Sequence, residues 1–130
     1  MPTGFRVETG SALSNKLLPL APRLSAMLKR MRESGAATPT RPVTASRIRG
    51  HMATAGFVVH NSEICAMVNY LRRTGHPIAS NGDGYFWANT KDELEPTIKH
   101  MRERIASMSD ALGGMTRRFH SGQGELPLNT

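Results

Sequence analysis

The chain has 130 residues, enough for one domain with appendages and a modest hydrophobic core. It contains no run of 18 apolar residues, which argues against a membrane span, and its N-terminus lacks the apolar stretch of a secretion signal. The single cysteine, Cys65, excludes an internal disulfide and fits a reducing cytoplasm.

Charge is unevenly distributed along the chain. The net charge is +7, and the first 50 residues hold nine Lys and Arg against two acids. Residues 51–90 hold two of each sign and residues 91–130 hold six of each, so the whole excess lies in the first 50 residues. Such an excess favours a polyanionic partner, because neutralising phosphates releases counterions. The alternative is a basic surface that only serves solubility.

A flexible segment over residues 1–18 is predicted to precede a basic amphipathic helix. Residues 1–15 are rich in Gly, Ser and Thr and show no apolar period. From Leu20 onwards apolar residues recur at steps of three and four, and Ser34-Gly35 ends the helix. These apolar residues are Leu20, Leu24, Met27, Leu28 and Met31.

Two further helices follow a loop of prolines and threonines at residues 36–42. The first has Thr44 as its N-cap, and its apolar side consists of Val43, Ile48, Met52 and Ala55. The second is capped by Asn61 or Ser62 and is stopped by Gly75 and Pro77. Its apolar residues are Ile64, Met67, Val68 and Leu71.

Two short stretches around S-N-G-D-G (residues 80–84) predict a β-hairpin. Residues 77–79 and 85–88 flank it, and Asp83-Gly84 or Asn81-Gly82 would supply the positive φ of a tight turn. A phosphate-binding loop is the alternative. A dinucleotide loop, however, needs a buried strand before it and a helix after it, whereas an aromatic strand follows here. The hairpin is the preferred interpretation.

A long C-terminal helix is predicted over residues 90–119, followed by a flexible tail over residues 120–130. Thr90 and Glu93 match a capping box, Pro96 predicts a kink or restart, and Gly113-Gly114 is expected to close the helix. Its apolar residues alternate by four and three, as in a heptad seam. The seam is either a face that folds back onto the first helix or a homodimer interface, and both stay open. The interface residues would be Ile98, Met101, Ile105, Met108 and Leu112.

Three helices, a hairpin and a long helix form a mainly α pattern that matches a winged helix-turn-helix over residues 19–89, with an added leading helix and a long C-terminal helix. The stretch from I-C-A-M-V-N-Y-L-R-R-T-G-H-P-I to G-D-G-Y resembles the N-terminal DNA-binding domain of the biotin repressor family. The matching positions are Ile64, Val68, Leu71, Arg72, Gly75, Ile78, Gly82, Gly84 and Tyr85. In contrast to that family, the segment between the two helices of the motif is longer, and no biotin-ligase domain follows.

The resemblance implies that the helix of residues 61–74 enters the major groove of double-stranded DNA and that the hairpin touches the adjacent minor groove or backbone. Asn69 has the side chain for a bidentate pair with adenine, and the arginines are expected to meet phosphate. Capping alone for Asn61 and Ser62, and simple solvation of Asn69, stay open, while Glu63 and Asp83 would repel phosphate. The predicted DNA-contacting residues are Arg41, Arg47, Arg49, Asn61, Ser62, Asn69, Arg72, Arg73, Ser80 and Asn81.

No catalytic constellation is found, because the five histidines lack metal-ligand spacing and Cys65 has no paired base. The sequence predicts a non-enzymatic, sequence-specific double-stranded DNA-binding protein, without cofactor or metal, that regulates transcription or replication as a dimer. We expect it in the cytoplasm on the nucleoid, and small proteins of this kind are frequent in prophages. One alternative is a winged helix that docks on a host or phage polymerase, replisome or recombinase subunit. Another is RNA binding by the basic first 50 residues.

Overall fold

The computed structural model of the protein describes residues 12–120, which form four α-helices and one antiparallel β-hairpin. The helices are α1 (Leu20–Glu33), α2 (Ala45–Thr54), α3 (Asn61–Arg73) and α4 (Lys91–His120), and the strands are β1 (Ile78–Asn81) and β2 (Gly84–Trp87). The prediction of a mainly helical chain with a small hairpin is confirmed. The predicted flexible segments lie largely on residues 1–11 and 121–130, outside the described part. Two compact units are present, residues 12–94 and residues 95–120.

One hydrophobic core holds the first unit together. Helix α3 is central to it and packs against α1, α2 and β1, while α1 also packs against β2. The predicted apolar steps of the three helices point into this core, with Leu24, Leu28, Ile48 and Ile64 completely buried. Ala55 is an exception: it is exposed, because α2 ends at Thr54 and leaves Ala55 beyond its last turn.

The first three helices all end in the same way, at a glycine with positive φ. Gly35, Gly56 and Gly75 have φ values of 98°, 93° and 95°. In each case the next residue donates its backbone N–H to a carbonyl of the preceding helical turn, as from His76 to Leu71 at 2.9 Å. The predicted helix ends at Gly35 and Gly75 are therefore confirmed.

Of the N-caps predicted for α2 and α3, the first is confirmed and the second is wrong. Thr44 caps α2 as predicted, since its hydroxyl accepts from the backbone N–H of Arg47 at 3.1 Å. The prediction of Asn61 or Ser62 as the cap of α3 is wrong, because His60 occupies that position. The carboxylate of Glu63 reaches back and accepts from the backbone N–H of His60 at 2.8 Å, which fixes the start one residue earlier.

The hairpin has a two-residue turn and an additional backbone partner. Its register pairs Ile78 with Trp87 and Asn81 with Gly84. Val43 lies along the outer edge of β2, donating to the Tyr85 carbonyl at 2.7 Å and accepting from the Tyr85 N–H at 2.8 Å. Of the two predicted positive-φ positions, Gly84 has it, at 148°.

Gly84 is required by this close approach of two backbones. A Cβ at this position would lie 2.6 Å from the Val43 carbonyl oxygen, too close for any side chain. The glycine therefore serves the pairing of β2 with Val43 as well as the turn.

Helix α4 has the predicted length and is more regular than predicted. The backbone N–H of Glu93 donates to the Thr90 hydroxyl at 3.2 Å as expected, but the Glu93 carboxylate accepts from Asn89 instead of Thr90. The helix runs unbroken through Pro96, without a restart there. It also continues past Gly113 and Gly114, which do not adopt the positive φ that would end it.

No helix within residues 12–120 combines the length and the apolar character needed to cross a bilayer.

The apolar seam of α4 changes from covered to exposed along the helix. Leu94 packs against the core of the first unit, and Ile98 and Met101 are half-buried. From Ile105 onwards the large apolar side chains are more than half exposed. These residues are Ile105, Met108, Leu112, Met115 and Phe119.

Candidate nucleic-acid interface

Helix α3 carries a stripe of exposed, mostly polar side chains. While its apolar residues are buried, its exposed residues recur every four positions, with Ser62 beside the first of them. They therefore lie along one side of the helix. We call these exposed positions the α3 stripe; they are Asn61, Ser62, Cys65, Asn69 and Arg73. Of the five α3 residues predicted to contact DNA, all except Arg72 belong to this stripe.

The α3 stripe lies beside the hairpin. At its middle, the Cys65 thiol is 3.6 Å from the Tyr85 hydroxyl on β2. Partial burial, together with the neighbouring thiol, raises the pKa of Tyr85 to about 12, so its hydroxyl stays protonated at neutral pH. No local pattern in the sequence predicts this contact, because Cys65 and Tyr85 are 20 residues apart.

Arg72 and Ser80 hold the hairpin against α3. The guanidinium of Arg72 donates through Nε to the Ile78 carbonyl at 2.7 Å and through a terminal nitrogen to the Ser80 hydroxyl at 3.1 Å. Both residues were predicted to contact DNA. Their hydrogen bonds give them a structural role, which is to fix the position of the hairpin relative to the α3 stripe.

Asn81 ties the hairpin turn to the loop before α2. Its side-chain nitrogen donates to the Pro39 carbonyl at 3.0 Å, and its side-chain oxygen accepts from the Asp83 N–H at 2.9 Å. The amide that was predicted to touch DNA is therefore engaged on both sides within the protein. Its contact with Pro39 brings the loop that carries Arg41 next to the hairpin turn.

The negative charge of Glu63, expected to repel phosphate, is compensated by the positive charge of Lys16. The Lys16 ammonium lies 3.0 Å from its carboxylate. The His60 backbone N–H and Lys16 hold the pKa of Glu63 below its usual value of 4.5, so the carboxylate stays ionised in its capping position. Lys16 falls in the segment predicted to be flexible, next to Leu17, which is buried in the core. No local pattern in the sequence indicates a pair 47 residues apart.

Three arginines on α2 and in the loop before it have exposed, charged side chains. The two ion pairs within residues 12–120 use Lys16 and Arg32, so neither involves Arg41, Arg47 or Arg49. Arg47 and Arg49 lie on opposite sides of α2, because two residues correspond to about 200° around a helix and Ile48 points into the core between them. A single duplex lying along α3 would therefore meet them unequally.

Arg73, at the C-terminal end of the α3 stripe, is supported by an aromatic ring. Its guanidinium lies 5.7 Å from the centre of the Tyr70 ring, a cation–π distance, and the residue is exposed. Of the two arginines on α3, Arg73 is therefore the exposed one, whereas Arg72 is hydrogen-bonded to the hairpin.

Comparisons with protein-family profiles, with curated proteins and with solved structures found no match to this chain. Within residues 12–120, no three His, Cys, Asp or Glu side chains are close enough together to hold a metal ion. The candidate site consists of a polar helix stripe, an adjoining hairpin and exposed arginines around them.

Proposed function

We propose that residues 12–94 form a winged helix that binds double-stranded DNA, with α3 in the major groove and the hairpin against the adjacent minor groove or backbone. The α3 stripe beside the hairpin is the observation that carries this proposal. Its amide and hydroxyl groups are the donors and acceptors that read base edges. An α-helix with such a face fits the major groove.

The order of the elements supports the same proposal. Helix α1, the extended residue Val43, helices α2 and α3, and the hairpin follow one another as the elements of a winged helix-turn-helix do. Val43 pairs with β2 and so closes the outer edge of the hairpin. Because a fold by itself does not establish a function, the proposal depends on the surface of α3 and its charged surroundings.

In the proposed complex, different residues have different tasks. Arg41, Arg47 and Arg73 supply phosphate contacts, while Asn61, Ser62 and Asn69 face the bases. Arg47 lies in the first turn of α2, where unpaired backbone N–H groups also attract phosphate. We therefore expect Arg47 to contribute more to binding than Arg49.

Salt dependence tests the phosphate contacts. Binding of the full chain to a labelled random duplex would be followed by fluorescence anisotropy at about 50 mM and about 200 mM salt. Affinity should fall steeply between the two, and Arg47→Ala should reduce the slope of log K against log salt by about one. Arg104→Ala, which removes the same charge from an exposed position on α4, is the matched control and should leave the slope unchanged. Absence of binding at the lower salt would refute the proposal.

Base readout is tested separately with Asn69. A preferred site would first be selected from random duplexes. Asn69→Ala should then weaken binding to that site by about 1–3 kcal/mol and change binding to random duplex little, since base contacts carry discrimination and phosphate contacts do not. An equal loss on both duplexes would show that Asn69 does not read bases. A protein with such a preferred site would act as a transcription or replication regulator.

A second candidate function, docking on a polymerase or replication protein, is favoured by a different surface. A shallow pocket of about 290 Å³ is lined by Lys16, Leu20, Arg23, Phe57 and Val58. Val58 is 74% exposed, and Arg23 stacks on the Phe57 ring at 5.0 Å. An apolar floor with basic edges suits a segment that is both apolar and acidic. Val58→Asp should abolish such docking and leave duplex binding intact.

A further inference from the structure

The second half of α4 exposes a continuous apolar seam. Ile105, Met108, Leu112, Met115 and Phe119 follow one another at steps of three, four, three and four residues, and each is between 55% and 72% exposed. A repeat of 3.5 residues is the signature of a helix that winds around another helix. Together these five side chains expose on the order of several hundred Å², at the upper end of what a monomeric protein shows.

We propose that this seam, residues 105–119, pairs with the same seam of a second copy of the chain as a parallel, in-register, two-stranded coiled coil. In this arrangement each of the five exposed side chains meets its equivalent in the partner. The half-buried residues Ile98 and Met101 are not required. The proposal does not depend on DNA binding.

The composition of α4 indicates that this region needs a partner. Gly113 and Gly114 lie inside the helix, where each reduces its intrinsic stability relative to alanine. An isolated helical segment of about 15 residues is marginal in water even with good helix formers. Burial of the apolar seam against another helix supplies the stabilisation that the sequence of the helix lacks.

Charge identifies the partner as protein and not as a membrane surface. Over its whole length α4 contains six basic and five acidic residues, and its acidic residues extend as far as Asp110. A helix that lies on a membrane surface has a predominantly basic polar face. A nearly neutral helix with a heptad seam instead suits a second helix of the same composition.

The flanking positions favour the parallel orientation. When the two helices are parallel and in register, Arg104 faces Ser109 of the second copy and Ala111 faces its Thr116, so no like charges meet. An antiparallel pair that places Ile105 on Met115 puts Phe119 on the half-buried Met101, outside the exposed seam, and sets Arg104 against Arg118 of the second copy, twice by symmetry. Like charges in such positions are destabilising.

The oligomeric state tests the interface. Sedimentation equilibrium of the full chain without DNA should give a mass that approaches twice 14.2 kDa as concentration rises. Leu112→Asp should weaken the dimer by about 30-fold or more, as expected for a central apolar contact. Ser107→Asp adds the same charge on the outward side of the helix and should leave the dimer unchanged. The mass of one chain at every concentration, or equal masses for the wild type and Leu112→Asp, would overturn the proposal.

Each variant can be checked for correct folding of the first unit. Trp87, the only tryptophan of the chain, lies on β2, so its fluorescence reports on residues 12–94. Because Leu112 is exposed, Leu112→Asp should keep the wild-type emission while it loses the dimer. If its emission changes, Met115→Glu, at another exposed seam position, replaces it in the same measurement.

Disulfide cross-linking tests the orientation. In a Cys65→Ser background, Met115→Cys should form a disulfide-linked dimer on oxidation, because equivalent seam residues face each other in the parallel arrangement. Arg117→Cys, on the outward side, should not. In the antiparallel pair the two introduced thiols would be about 15 Å apart along the axis, too far for a disulfide. A dimer that does not cross-link through Met115→Cys would refute the parallel arrangement.

The outcomes for this interface and for DNA binding are distinguishable. If the Leu112→Asp chain is monomeric and still binds random duplex in a salt-dependent way, both proposals stand. If the wild type binds duplex but has the mass of one chain at every concentration, only the dimer is refuted. If the dimer forms but no duplex is bound at low salt, only the DNA proposal is refuted.

Discussion

Residues 12–94 and the second half of α4 contain apolar side chains at the same helical spacing, but only the first region buries them. Leu24 on α1 is completely buried, whereas Leu112 on α4 is 66% exposed. Both residues belong to runs with steps of three and four. Periodicity therefore identifies the apolar side of a helix and does not identify what covers that side.

Glycine shows a second difference between the two regions. In residues 12–94, glycines end helices or, as at Gly84, allow two backbones to approach within pairing distance. In α4, Gly113 and Gly114 adopt neither role and remain inside a regular helix. A glycine in the first region is therefore a structural requirement, whereas these two lower the stability of the helix that contains them.

The largest expected effect comes from truncating one leucine in each region. Leu24→Ala should lower the free energy of unfolding by about 2–5 kcal/mol, since it leaves a cavity in a filled core. Leu112→Ala, at a dilution where the chain is monomeric, should change it by less than about 0.5 kcal/mol. Urea denaturation followed by Trp87 fluorescence measures both. Equal losses would show that the seam of α4 is covered within a single chain.

Replacing a glycine by alanine should change the stability in opposite directions in the two regions. Gly84→Ala should destabilise by about 1–3 kcal/mol, because the new Cβ meets the Val43 carbonyl and the backbone keeps a φ that alanine avoids. Gly113→Ala should instead stabilise α4 by about 1 kcal/mol and raise its helicity in far-UV circular dichroism. Gly82→Ala, in the same turn but with nothing within 4 Å, is the control for Gly84. A destabilising Gly113→Ala would mean that the small residue is needed for packing.

Acid sensitivity is expected to distinguish Glu93, which forms an ion pair, from Glu103, which is exposed on α4. Of the three predictions, this one has the smallest expected effect on stability. Hydrogen bonds from Arg32 and from the Asn89 N–H hold the pKa of Glu93 below its usual value of 4.5. A carboxyl whose pKa is lowered by folding stabilises the protein above its unfolded pKa, and this contribution is lost as the pH falls through the folded pKa. The free energy of unfolding should therefore decrease from about pH 5 to about pH 3.

Glu93 and Glu103 can be compared by replacing each with glutamine. Glu93→Gln should make the decrease shallower by at most about 1 kcal/mol, since solvent screens the pair. Some decrease should remain, because the pKa of Glu63 is lowered as well. Glu103→Gln, at an exposed position of α4, is the control for the change of charge. Denaturation curves at several pH values give the comparison, and identical profiles for Glu93→Gln and the wild type would contradict the role of the Arg32 pair.

Much of the candidate site was predictable because it is local. The outward direction of Asn61, Ser62, Cys65 and Asn69 follows from the burial of the other side of a single helix. The roles of Arg72, Ser80 and Asn81 were not predictable in this way. Each is a polar residue near the expected interface, and only the packed hairpin shows that its hydrogen-bonding groups are engaged inside the protein.

The helices, the hairpin and the apolar side of each helix could be predicted from the sequence alone, because spacing, caps and turn glycines act over a few residues. The tertiary structure was needed to show what those elements contact: Val43 on the edge of β2, Lys16 on Glu63, and Cys65 against Tyr85. It also decided that the seam of α4 is left exposed from Ile105 onwards. These contacts join residues 20 or more positions apart, and no local pattern encodes a partner at that distance.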